Sequence, residues 1–204
     1  MKSIYLLPLI LVIATANLGV DISNYDLPPR TFFDCLATQN VTKALVNVWD
    51  EYGEVNKNVL QNYIRAKDAK IKDFDVLVTL NDAFSAEDIC NGAASGLPTA
   101  FKGTVWLDVQ GKERFWSLNV TDRIPFIENV TTTCQNLGLK TGVYSSADAW
   151  SFVTGSQGAG SDTLKTTPIW YINENQNEDF DDFEYAGFGT WETPAMKNYG
   201  ANTM

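Results

Sequence analysis

The residues best placed to do chemistry lie in one segment, Thr104-Val105-Trp106-Leu107-Asp108-Val109-Gln110-Gly111. Side chains alternate along a β-strand, so Val105, Leu107 and Val109 share one face and Trp106, Asp108 and Gln110 the other. The first set is an apolar face for packing helices. The second holds a carboxylate and an amide whose Cα atoms are roughly 6.6 Å apart. Two carboxylates at such positions can flank one glycosidic bond. Here only Asp108 is one, and the carboxamide of Gln110 has no acidic proton to deliver at neutral pH. Asp21 closes a second apolar segment, Leu18-Gly19-Val20-Asp21, in the same way. Either aspartate equally suits a plainer task, capping the turn or helix after its strand.

Other chemistries are narrowed by what the chain lacks. It has no histidine, which excludes a Ser-His-Asp or Cys-His mechanism within the chain. A catalytic zinc site is disfavoured too, since such sites lean on imidazole. No metal and no cofactor is expected. Acid and base work falls to carboxylates, Tyr, Lys or Cys. Glu113 and Asp82 are the nearest alternative acids on the same rim, and both suit loop or cap roles. The crowded acids of 173–184 lack the spacing of a calcium loop and read as a solvated face. Tyr144, Trp170, Tyr171 and Trp191 are candidates for a sugar-binding platform, and each competes with core packing for that aromatic surface.

These residues need a scaffold, and the periodicities supply one. Lys2, the short apolar run 4–14 and Ala14-Thr15-Ala16 have the order of a secretory signal peptide over 1–16, leaving one domain over 17–204. Strand patterns fall at 18–22, 44–49, 75–80, 104–109, 141–144, 168–172 and 196–199. Helical patterns fall at 55–69, 122–137 and 148–153. Such alternation builds βαβ units around a parallel sheet, here a compact (β/α) barrel. An open doubly wound sheet is the alternative, weakened because no Gly-x-Gly-x-x-Gly follows the first strand. The net charge of −10 opposes nucleic-acid binding. No second apolar run is long enough for a membrane span. Cys35, Cys90 and Cys134 allow one bridge and one leftover thiol, without saying which. Asn40, Asn119 and Asn129 each open an Asn-Val-Thr sequon, an acceptor for N-glycosylation.

A family resemblance ties these segments together. Gly19-Val20-Asp21-Ile22-Ser23 resembles the opening motif of the glycoside hydrolase family 25 lysozymes. Trp106-Leu107-Asp108-Val109-Gln110 is similar to that family's Trp-Leu-Asp-x-Glu strand. Gly138 to Ser145, Pro168-Ile169-Trp170-Tyr171 and Phe180 to Tyr199 resemble three further segments, in the same order. The resemblance runs from about Leu18 to the chain end. It implies a flattened (β/α) TIM-like barrel with a peptidoglycan groove and retaining cleavage after N-acetylmuramic acid. It places the catalytic sites at Asp21, Asp108 and Gln110, the last in the position of the family's acid Glu. It also implies one more strand after Tyr199, so a barrel lacking its last strand is expected.

The reading that follows is a secreted or vesicular monomer that binds peptidoglycan or another N-acetylated glycan, with hydrolysis weakened or lost. An active lysozyme in defence or digestion is the first alternative. A secreted interaction protein that reuses the barrel is the second.

Overall fold

The structure is a computed structural model, and it describes residues 17–22 and 27–200. The expected leader and Ser23 of the first motif lie outside the described residues. The elements run β1 (Leu18–Ile22), α1 (Arg30–Thr38), β2 (Val41–Trp49), α2 (Val59–Asp68), β3 (Asp73–Thr79), α3 (Ala86–Gly96) and β4 (Thr104–Asp108). There follow α4 (Val120–Asn136), β5 (Lys140–Ser146), α5 (Ala147–Thr154), α6 (Asp162–Lys165), β6 (Ile169–Ile172), α7 (Phe183–Ala186) and β7 (Met196–Asn198). The strands form one sheet in sequence order, and every pairing is parallel. A parallel sheet wound one way by helical crossovers curls on itself. β1 and β7 have one strand neighbour each, so among the described residues the barrel stays open between them.

Strand alternation sorts side chains into two cores. Val105 and Leu107 of β4 face the helices and join the large outer cluster with Val76, Val78, Val143 and Ile169. Trp106 faces inward and packs with Leu45, Leu77, Tyr144 and Trp170. Each such buried side chain contributes about 1.5–3 kcal/mol through apolar burial.

Two helices, α1 and α3, lie outside the helical segments expected from the sequence. α1 follows Pro28-Pro29 and buries only Phe33 and Leu36. α3 carries Gly92, Ser95 and Gly96, which are weaker helix formers than its alanines. A capping box starts it: Ser85 Oγ accepts from the Asp88 amide at 3.1 Å while Asp88 accepts from the Ser85 amide at 3.3 Å. Its small residues permit close packing, since a Cβ at Gly92 would lie 2.0 Å from the Trp49 ring. Cys90 on α3 is bridged to Cys134 on α4, and Cys35 is a free, exposed thiol.

Candidate active site

The C-terminal ends of β1, β4, β5 and β7 bring Asp21, Asp108, Tyr144 and Asn198 to one end of the barrel interior. Asp108 is the last residue of β4 and is 5% exposed. The side-chain amide of Gln110 donates to Asp108 Oδ2. Gln110 is itself anchored through its backbone carbonyl, which accepts from Trp116 Nε1 at 2.8 Å. Burial pushes the Asp108 carboxyl up to about 7; the negative charges of Asp21 and Glu51 add to this, while the Gln110 hydrogen bond and Lys112 oppose it. Burial likewise pushes Asp21 up to about 6. Asp21 Oδ1 is buried with no hydrogen-bond partner among the described residues.

Tyr144 is the register neighbour of Asp108 on β5. Its hydroxyl accepts from Asn198 Nδ2 at 3.1 Å. Burial holds the phenol well above its usual range, with Asp108, Asp21 and Glu174 adding to the effect. Its ring lies 4.1 Å from that of Trp170, centroid to centroid, tilted by 37°. Trp106 meets Trp170 edge-on at 5.8 Å. Below this layer Trp106 Nε1 donates to Asp75 Oδ2 at 3.0 Å, and Lys43 Nζ pairs with the same oxygen at 2.7 Å. The aromatic stack therefore rests on a neutralised ion pair, and Trp106 is locked in orientation.

A cleft of about 990 Å³ opens beside this stack, between the edges β1 and β7. Asp21, Tyr144, Trp170 and Asn198 line it, as does the 174–180 stretch through Glu174, Gln176, Glu178 and Phe180. Asp108 and Gln110 are not part of its wall; they sit one strand beyond Tyr144. Asp182 anchors the 174–180 stretch, accepting from Tyr171 Oη at 2.6 Å, Lys197 Nζ at 2.9 Å, Asn175 Nδ2 at 3.1 Å and Asn173 Nδ2. Carboxylates beside a stacked aromatic floor at the C-terminal ends of barrel strands suit a sugar chain.

The family model described as Lysozyme-like protein 1 matches residues 13–199. Probable GH family 25 lysozyme 2 of Dictyostelium discoideum is 30% identical over 93% of this chain and 86% of its own length. The chain belongs to the glycoside hydrolase family 25 lysozymes. A second family 25 relative, Probable GH family 25 lysozyme 5 of the same organism, is 28% identical over 98% of this chain and 90% of its own length. The fold is that of a bacterial lysozyme from Streptomyces coelicolor, with a TM-score of 0.75, 15% identity and coverage of 93% and 87% of the two chains.

Not every candidate residue reaches the site of this family 25 barrel. Tyr171 follows Trp170 on the same strand and so points to the opposite face, where it is 1% exposed in the outer core. Trp191 also lies in that core, 5.0 Å from Trp150, with Nε1 donating to the Thr167 carbonyl at 2.7 Å. Neither lines the cleft with Tyr144 and Trp170. Asp82 organises a loop, accepting from Ser117 N and Oγ and from Leu118 N at 2.7–2.8 Å. Glu113 is exposed in a short 3₁₀ turn. Asn40, Asn119 and Asn129 are all exposed, on a turn, at the start of α4 and along α4. Sequence reading missed Asn198, Glu174 and Glu51. Alternation along β7 puts Asn198 on the face of Met196 and was the available signal for it. Glu174 and Glu51 sit in loops, where no periodicity points to a site.

Proposed function

We propose that the protein is an exported, monomeric family 25 lysozyme-like protein that holds peptidoglycan or a related N-acetylated glycan across the C-terminal ends of the barrel strands, from the cleft past Tyr144 to Asp108, with its hydrolytic step weak or lost. One observation carries this reading: the group beside Asp108 is an amide that donates its N–H to the carboxylate. Retaining cleavage needs two carboxyls, one protonating the leaving oxygen and one attacking or supporting the sugar carbon. Gln110 cannot serve as the first. General acid catalysis is worth about 10²–10⁴-fold, and a sugar leaving group depends on it. Binding needs none of this. Tyr144 and Trp170 offer ring faces to sugar C–H faces, and Asp21 and Asn198 offer polar atoms.

An active muramidase is the second reading, favoured by Asp108 itself. Its carboxyl is pushed up to about 7 by burial, so a protonated carboxyl exists near neutrality. The test is wall lysis by the unaltered protein and by Gln110→Glu, together with a pull-down on insoluble peptidoglycan. Retention without lysis, with lysis gained in the variant, supports the proposal. Clear lysis by the unaltered protein favours the second reading, and the absence of retention together with the absence of lysis removes both.

A further inference from the structure

The order of β4 has to be carried past its last residue. β4 ends at Asp108, two positions short of Gln110. Asp108 is held from β3, its backbone carbonyl accepting from Leu80 N at 3.0 Å. Val109 is held from β5: its N–H donates to the Tyr144 carbonyl at 2.9 Å, and its carbonyl accepts from Ser145 Oγ at 2.9 Å. Gln110 is held by the loop that follows it. Its carbonyl accepts from Lys112 N at 2.9 Å and from the indole N–H of Trp116 at 2.8 Å. Lys112 is a near neighbour in the same loop and moves with it, so the indole is the firmer anchor.

Trp116 is itself immobilised. It is 4% exposed and meets the Phe126 ring of α4 edge-on at 6.2 Å. Arg123, in the first turn of α4, lies over the Trp116 ring at 5.9 Å. Its guanidinium donates to the carbonyls of Leu118 at 3.0 Å, Val153 at 3.3 Å and Trp116 at 3.5 Å. One side chain thereby ties α4 and α5 to the loop that carries the indole. Site groups need their supports to fix them within about 0.5 Å. At position 110, beyond the strand, that support comes from a side chain.

We infer that Trp116 is a positioning residue for the site: its indole N–H, backed by Arg123, fixes the backbone at 110 so that the Gln110 side-chain amide meets Asp108. This rests on the reading that Asp108 and Gln110 belong to the glycan site, and adds the group that aligns them. Trp116 acts through Gln110 rather than on a sugar.

The experiment is a pH titration of the Asp108 side-chain carboxyl by carbon NMR, on the full chain without glycan. The Gln110 hydrogen bond favours the charged form of Asp108, so releasing it raises the midpoint. Trp116→Phe keeps a ring in the core and deletes the N–H. It should raise the midpoint by about half a unit or more, roughly a threefold change in proton affinity. In a Gln110→Ala background the same substitution should add little. If thermal unfolding shows that Trp116→Phe does not fold, Arg123→Lys takes its place, keeping the charge and losing the planar fork. The same rise is then expected in the parent, and the same loss of effect with Gln110→Ala. An unchanged or lowered midpoint in the parent background overturns the proposal. An equal rise in both backgrounds also overturns it, since packing alone would then link Trp116 to Asp108. The titration needs no sugar, so a chain that neither binds nor lyses bacterial walls removes the glycan reading and leaves this result intact.

Discussion

The side-chain amide of Gln110 donates a hydrogen bond to the carboxylate of Asp108, the last residue of β4. Two opposed effects meet at that carboxylate. Burial disfavours its charge, and the amide N–H favours it. Burial is the larger, so the carboxyl titrates near 7. Position 110 thus tunes Asp108 without offering a proton of its own.

Stability should carry the mark of that burial. The folded-state pKa of Asp108 is raised, from 3.8 to about 7. A raised acid contributes most below its unfolded value and loses that contribution as pH rises through the folded one. Stability attributable to Asp108 is therefore full below about pH 4 and gone above about pH 7. Asp108→Asn removes the charge and keeps an acceptor for Gln110. In urea unfolding at about pH 8 the variant should be more stable than the parent, by something on the order of 2 kcal/mol. Near pH 4 the two should converge. Asp21, raised to about 6, adds the same sign over a slightly lower window.

The aromatic floor should separate from its neighbour on the strand. Trp170→Ala should cost about 3–5 kcal/mol of stability, as expected for a large buried ring, and abolish retention on peptidoglycan. Tyr171→Phe loses the bond to Asp182, costs about 1 kcal/mol and leaves retention unchanged. A pull-down alongside thermal unfolding checks both.

The crosslink between α3 and α4 closes a long loop, with a sequence separation of 44. Chain-entropy reasoning gives it about 4 kcal/mol. The double variant Cys90→Ser/Cys134→Ser should lose about that much in urea unfolding. Cys35→Ser, at an exposed thiol, should change stability by less than about 0.5 kcal/mol.

Much of the scaffold was legible because period-2 alternation is strict. On β4 it separated Val105 and Leu107 from Trp106 and Asp108, and the structure keeps that division. The same parity bears on Trp170 and Tyr171: adjacent residues of one strand cannot both face the cleft. α3 stayed hidden although Ala86, Ile89, Cys90 and Ala93 share its buried face, because Gly92, Ser95 and Gly96 interrupt it with residues that favour other conformations. The cysteine pairing depends on where α3 and α4 pack, which spacing does not encode. Glu174 was readable only as one acid among many. Its place in the cleft wall comes from Asp182, which gathers Tyr171, Asn173, Asn175 and Lys197 around one carboxylate.

Glycan retention should weaken when that gathering point is lost. Asp182→Ala leaves the ammonium of Lys197, 2% exposed, without its ion-pair partner. Lys197 keeps the Asp179 carbonyl as an acceptor, so losing this half-buried partner costs about 1–3 kcal/mol. Asp182→Asn keeps an acceptor for Tyr171 and Lys197 and should recover part of both stability and retention. Equilibrium unfolding and a peptidoglycan pull-down, run on the same two variants, check this.

The most direct measurement is lysis of purified bacterial walls by the unaltered chain beside Gln110→Glu. A glutamate at 110 would share the buried site with Asp108, and two carboxyls in contact hold one proton between them near neutrality. The account predicts little or no turnover by the unaltered chain and a gain of about 10²-fold or more in the variant. Vigorous lysis by the unaltered chain, unchanged or reduced by the substitution, would contradict it.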